Sequence, residues 1–378
     1  MDFFDWTWNY VVVFLIVLSV LIYVHEWGHY WVARRNGVRV EVFSIGFGPE
    51  IFGWTNTAGT RWKICLIPLG GYVKMFGEDD SRDDDDDETP VEMSDEDKAV
   101  SFHHKTLGQR AAIVAAGPIV NFLFAIVAFA GLAMFQGNPV PLAVVGEVIP
   151  ESAASAAGFE QGDKIVAINS DEVVSFEDLR QIVIKNPDRE LTFDVQRDTK
   201  ILKIMATPKA AVGRDGEPSQ IGQLGVRPHL DHIRYDRANP FMALWVGTER
   251  TFVLTYRILV YIGEMISGQR NADDLGGPLR IAKISGDMAQ LGISQVILLM
   301  AMLSVNLGLI NLFPIPMLDG GHLAFYAAEA VRGRPLGPKA QEYGFRFGLI
   351  LVLVLFVFVT WNDLVHLRVI EFIKELFV

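Results

Sequence analysis

Apolar residues fall along this chain in two different rhythms. Four stretches, 10–32, 111–135, 296–313 and 347–360 with its flanks, are apolar on every face. A helix needs about 20 such residues to cross a hydrocarbon core of about 30 Å, so the pattern predicts four transmembrane helices. The stretch 241–266 is also apolar, but Glu249, Arg250, Arg257 and Glu264 interrupt it. It predicts one or two amphipathic helices lying on a membrane surface or on a soluble domain. Between the second and third spans the period changes to two. Stretches 144–149, 164–169, 191–195 and 201–206 alternate as strands, and 158–163 is rich in turn residues. Ser175 with Asp178 marks a capped helix start running to Ile184. The fold class is therefore a polytopic α-helical membrane protein with one inserted α+β domain. Its expected divisions are 1–135 (two spans and the loop between them), 136–212 (the inserted domain), 213–285 (linker and amphipathic helices) and 286–378 (the last two spans).

Composition agrees with a mixed membrane and soluble chain. The 378 residues are 51% hydrophobic, with a net charge of −12, and this acidic balance argues against nucleic acid as a partner. Much of the acidity lies in one tract, 78–88, which reads as a solvated loop. A single cysteine, Cys65, excludes an intrachain disulfide framework and a cysteine-rich metal site. Basic residues orient the spans. None precedes the first, whereas Arg34, Arg35 and Arg39 follow it, and Arg332, Arg334 and Lys339 separate the third from the fourth. By the positive-inside rule, 33–106 and 322–344 are cytoplasmic, and both termini with 136–295 are on the outer side.

The chemistry starts in the first span. His25-Glu26-Trp27-Gly28-His29 spells H-E-x-x-H. On a helix the two histidines share one face and can hold one zinc ion, while Glu26 reaches a zinc-bound water. A carboxylate inside a membrane costs about 2.5–3.5 kcal/mol on insertion scales, which asks for a polar or metal-filled cavity. The bland alternative is a polar cluster snorkelling at the membrane surface. The first apolar run carries this chemistry, so it reads as a retained span and not as a cleaved signal.

Catalytic zinc takes three protein ligands, so a third is required. Asp319 is the best candidate. It ends the run Asn311-Leu312-Phe313-Pro314-Ile315-Pro316-Met317-Leu318-Asp319-Gly320-Gly321, where two prolines must break the third span. Broken backbone at membrane depth is tolerated where protein or a watery cavity covers it. Asp363 and Glu264 are weaker rivals, and His322 reads as support for the local fold. Asn121, inside the second span, reads as a hydrogen bond to a neighbouring helix.

Together, the His25–His29 motif and the Asn311–Gly321 run resemble the site-2 protease family of intramembrane zinc metalloproteases, most closely its bacterial RseP-like branch (regulator of sigma-E proteases). Stretches 102–112 and 276–282 resemble that branch as well. The resemblance covers essentially the whole chain. It implies Zn²⁺ held by His25, His29 and Asp319, with Glu26 as the catalytic base. It implies that Asn311, Pro314 and Pro316 position substrate, with Asn311 also able to stabilise the oxyanion. The inserted domain resembles a PDZ domain, one where the best-known relatives have two, which implies binding of a peptide or of a substrate's periplasmic segment. The implied partners are single-span membrane proteins, such as a trimmed anti-sigma factor or a remnant signal peptide, and the lipid bilayer. The implied location is a bacterial inner membrane, multi-pass.

Stretches 43–51 and 61–75 are β-prone, glycine-punctuated and unusually apolar for a loop. They suggest a membrane-associated β-hairpin of the kind this family has, with Ile64, Cys65, Leu66 and Ile67 as the strand that pairs with unwound substrate. Two other classes compete. A non-catalytic PDZ-bearing scaffold or metal binder needs no general base and so leaves Glu26 unexplained. A membrane oxidase needs several histidine boxes, which the remaining histidines do not supply at suitable spacing.

Overall fold

The computed structural model describes residues 7–78, 93–212, 218–229, 231–271 and 276–366. The acidic tract beyond Glu78 lies outside them. The chain forms two compact units, one of Met1–Leu132 with Pro240–Val378 and one of Ala133–Asn239.

The first unit opens with a π-helical turn, Thr7–Val12, leading into α1 (Val13–Arg35). Two long strands follow, β1 (Val40–Thr55) and β2 (Arg61–Met75), then the short α2 (Asp95–Val100) and α3 (Leu107–Phe135). β1 and β2 pair antiparallel, from Thr55↔Arg61 to Phe52↔Ile64, and again at Ile45↔Gly71, Ser44↔Tyr72 and Phe43↔Val73. Phe43, Ser44 and Ile45 also partner Trp62, Lys63 and Ile64. Each strand is therefore folded over, and the first half of β1 lies between the two halves of β2. The folds fall at Gly46 and Gly48 (φ 89° and 85°) and at Gly70 (φ 122°), backbone that a side chain would strain. Buried Phe43 stacks on Trp62 at 4.1 Å and meets Tyr30 of α1 edge-on at 5.9 Å, fixing the hairpin to that helix. Ile51, Phe52 and Leu66 are at least 60% exposed. An apolar surface of this kind marks contact with a membrane or a partner.

The second unit holds β3 (Asn138–Pro141), β4 (Val145–Val148), α4 (Ala153–Ala157), β5 (Lys164–Ile168), β6 (Asp171–Glu172), α5 (Phe176–Ile184), β7 (Leu191–Arg197) and β8 (Lys200–Ala206). It closes with β9 (Lys209–Val212), β10 (Pro218–Gln223), β11 (Val226–Pro228) and β12 (Ile233–Asp236). A four-stranded antiparallel sheet runs β6-β5-β7-β8 around Ile165, Ile168, Phe193 and Val195. α5 starts where its capping box places it. Ser175 Oγ accepts from the Asp178 amide at 3.1 Å, and the Asp178 carboxylate accepts from the Ser175 amide at 2.8 Å. That hydroxyl and amide hold the Asp178 carboxyl below its ordinary range. The unit continues past 212, the boundary read from sequence, because β11 pairs with β4 and β12 with β3. Part of the expected linker is thus part of this unit.

The chain re-enters the first unit with α6 (Pro240–Ile266) and α7 (Pro278–Gln290), followed by α8 (Ile293–Leu312), α9 (Asp319–Arg332) and α10 (Pro338–His366). Among the described residues, four helices are long and apolar enough to cross a membrane: Tyr10–Arg35, Leu107–Phe135, Ile293–Leu312 and Pro338–His366. α6 is one continuous helix. Ala243, Gly247 and Thr251 are buried one turn apart, and a Cβ on Gly247 would meet the backbone of Ile126 and Ala130 in α3. Leu254 and Ile258 pack with Ala125 and Phe129 of α3 and Ala301 and Val305 of α8. α10 begins nine residues before the apolar stretch that signalled it. Its first turns are polar, with Glu342 and Arg346 ion-paired one turn apart, so an apolar window cannot detect them. Segment 322–344, which joins the last two spans, is therefore mostly helix.

Candidate functional site

His25 and His29 lie on successive turns of α1, both buried, with their Nε2 atoms 3.2 Å apart. Asp319 is the first residue of α9, and its Oδ2 lies 3.2 Å from His25 Nε2 and 3.5 Å from His29 Nε2. The chain reaches Asp319 through the break between α8 and α9. Pro314 and Pro316 prevent helix there, and Met317 takes a left-handed φ of 89°, a conformation that side chains resist. Gly320 and Gly321 then let the turn close on itself. A Cβ on Gly320 would strike the carbonyls of Leu312 and Phe313, and one on Gly321 would lie 2.6 Å from Pro316 Cα. Pro314 is exposed at the break, while the Pro316 carbonyl packs against Gly348 of α10.

Backbone proximity builds the other wall. A Cβ on Gly28 would sit 2.6 Å from the Ala116 carbonyl of α3. A Cβ on Gly117 would strike His29 Nε2 and lie 2.8 Å from His25 Cε1. α1 and α3 thus meet at glycines, and α3 presses bare backbone onto the two imidazoles. His29 Nδ1 is 2.9 Å from the Ile113 carbonyl, which can only accept, so Nδ1 carries the proton and Nε2 offers a lone pair.

These donors fit zinc. A tetrahedral ion with bonds of about 2.0–2.1 Å has ligand–ligand edges of about 3.3–3.4 Å, and the three edges here are 3.2, 3.2 and 3.5 Å. Asp319 Oδ2 is buried and, despite its neighbours, makes no hydrogen bond. Lone pairs and a carboxylate oxygen crowded this closely repel one another unless a cation joins them. Among the described residues this is the one cluster of three metal-ligating side chains.

The donors open onto a cavity of about 940 Å³ that Glu26, Asn311 and His322 also line. Asn311 Nδ2 is 3.5 Å from His25 Nε2. His322 packs its ring 5.3 Å from Phe345 and stays out of the donor cluster. The rival carboxylates are engaged elsewhere. Asp363 accepts from the Gly277 and Arg280 amides at 2.8 and 3.0 Å, at the start of α7, and Glu264 faces Arg270 at 3.8 Å.

The Ile64–Ile67 stretch lies within the hairpin and off the cavity. Ile64 pairs with Ile45 and Phe52, Cys65 with Glu50 and Ile67 with Phe47, and neither these residues nor Leu66 line the cavity. The same strand lines it further on, at Gly70, Gly71, Tyr72 and Val73. A Cβ on Gly71 would lie 3.2 Å from Glu26 Cγ, so the strand passes directly beside the carboxylate. The sequence placed Gly70–Val73 in the β-prone stretch 61–75 without singling it out as the cavity wall, for which the paired glycines at 70–71 were the available signal.

Comparison with known proteins gives a concordant picture. The model of peptidase family M50 matches residues 13–355. A "putative zinc metalloprotease" of Agrobacterium fabrum is 47% identical over 363 residues, covering 94% of this chain and 96% of its own. Metalloprotease MmpA of Caulobacter vibrioides is 38% identical over 388 residues, covering 96% and 97%. Zinc metalloprotease RasP of Oceanobacillus iheyensis is 34% identical over 426 residues, covering 94% and 99%.

The wall formed by Gly117 yields a direct test. Gly117→Ala is expected to abolish zinc binding, read as metal content of the purified protein, because its methyl occupies the space between the imidazoles. Gly131→Ala, on the same helix with open space around it, is expected to retain the metal. Full zinc in Gly117→Ala would show that the wall is not tight.

Proposed function

The chain belongs to peptidase family M50 and is a zinc metalloprotease, and from that premise we propose that it cuts single-span membrane proteins within their membrane-spanning segment. The observation that carries the proposal is that Asp319 meets His25 and His29 in one donor triad, and that these histidines and Glu26 belong to a helix long and apolar enough to cross a membrane.

In this reading His25, His29 and Asp319 hold the zinc. When bound, zinc supplies a Lewis acid that polarises the scissile carbonyl and draws the pKa of water toward about 7. Glu26 takes the proton of the attacking water and returns it to the leaving nitrogen. The Asn311 amide, on the same cavity wall, orients the substrate carbonyl and stabilises its developing negative charge. Pro314 and Pro316 keep the backbone irregular, so that Asp319 and Asn311 face one cavity.

A transmembrane substrate keeps its amides in internal hydrogen bonds and must unwind to be cut. An unwound backbone can add to a free strand edge, gaining affinity with little demand on sequence. The cavity-lining part of β2, Gly70–Val73, suits that role better than Ile64–Ile67. Photo-crosslinkers at Tyr72 and at Ile67 separate the two, with capture of substrate from Tyr72 expected; capture from Ile67 alone would return the role to the original stretch.

We further assign the protein to a bacterial inner membrane, with both termini and the second unit in the periplasm. The charge asymmetry around the spans supports this orientation. The strand and helix order of the second unit supports a PDZ-like reading, in which a peptide or the outer segment of a substrate adds as a strand and cleavage waits on prior trimming. A cysteine placed at exposed Asp171 in a Cys65→Ser background is expected to react with an impermeant thiol reagent from the outer side. Labelling only from the cytoplasmic side would reverse the topology.

The central test compares Glu26→Gln with ligand variants on a model single-span substrate. Glu26→Gln is expected to keep zinc and lose cleavage, whereas His25→Ala, His29→Ala and Asp319→Ala lose both. Normal turnover by Glu26→Gln would refute the mechanism.

A further inference from the structure

Asn121 is fully buried on α3, opposite His25. Its side-chain amide meets His25 Nδ1 at 3.0 Å, and its backbone carbonyl accepts from Ser304 Oγ of α8 at 2.9 Å. Its Oδ1 is buried with no partner, while Nδ2 faces the ring. That pairing conflicts with the donor triad. For His25 to offer a lone pair from Nε2, the neutral imidazole must carry its proton on Nδ1. An amide N–H then points at a ring N–H, and a buried acceptor is left unpaired.

Turning the carboxamide over removes the meeting of two donors and gives Oδ1 a partner, with Nδ2 taking the place that Oδ1 held. Its two ends are nearly isosteric, so the orientations differ in hydrogen bonding and hardly in fit. Oδ1 then accepts the Nδ1 proton of His25, as the Ile113 carbonyl does for His29. We propose that Asn121 is a positioning residue of the zinc site. Through Oδ1 it fixes the His25 tautomer with Nε2 free and holds the ring toward His29 and Asp319. The Ser304 bond ties this function to α8, the helix that carries Asn311 at its end.

The inference rests on the zinc-protease reading, so its test measures metal affinity directly. Zinc dissociation constants are taken by chelator competition on the full-length protein in detergent, for wild type, Asn121→Leu and Asn121→Asp. Asn121→Leu is expected to bind zinc about 10–100-fold more weakly, the usual effect of removing a hydrogen bond to a ligating histidine. Asn121→Asp keeps an acceptor and no donor, so it is expected to stay within a few-fold of wild type. In cobalt-loaded protein, the visible spectrum is expected to shift for Asn121→Leu and to be preserved for Asn121→Asp. Wild-type affinity in Asn121→Leu would overturn the proposal. Loss of affinity in Asn121→Asp would also overturn it, because the amide would then be acting as a donor or as helix packing, and this comparison stands even if the leucine variant does not fold. A wild-type protein without zinc affinity would overturn the zinc reading itself, an outcome distinct from either.

Discussion

Two imidazoles and two carboxylates sit among apolar helices, where each charge left uncompensated costs kilocalories. Much of the first unit can be understood as the answer to that constraint. His25 and His29 are one turn apart because a helix puts i and i+4 on one face. The third donor comes from a different helix, which requires a broken backbone, and the prolines at 314 and 316 with Met317 at φ 89° provide it. α1 and α3 touch through Gly28 and Gly117, which lets α3 backbone close over the two imidazoles. Joining the three lone pairs to a cation turns the repulsion between them into the binding energy of the site.

Water and substrate must still reach this buried chemistry. The cavity beside Glu26 answers the first need, and the folded hairpin answers the second in the proposed reading. β1 and β2 bend at glycines that tolerate left-handed backbone, and Gly71 brings the strand beside Glu26 with no side chain between them. Phe43, wedged between Trp62 and Tyr30, holds the hairpin on α1. The sheet carrying the cavity wall is thus anchored to the helix carrying the histidines.

Local features were legible in the sequence and distant pairings were not. The i, i+4 histidines, the Ser175–Asp178 capping box and the proline break before Asp319 each act within a few residues, and each appears where expected. Unbroken apolar runs marked the four long helices. The polar first turns of α10 fell outside that signal. β11 and β12 were missed because their partners, β4 and β3, lie some 80–100 residues away along the chain. The double pairing of β1, which brings Gly70–Val73 and not Ile64–Ile67 onto the cavity, is not announced by any local pattern. Asn121 bonds neighbouring helices as expected, but that one partner is His25 itself could not be read from the sequence.

X-ray absorption at the zinc edge of the purified protein tests the donor triad most directly. The account predicts two imidazole nitrogens and one carboxylate oxygen from the protein at about 2.0–2.1 Å. It further predicts that Asp319→Ala removes the carboxylate from any zinc that remains. A sulfur neighbour at about 2.3 Å, or an unchanged spectrum in Asp319→Ala, would contradict it.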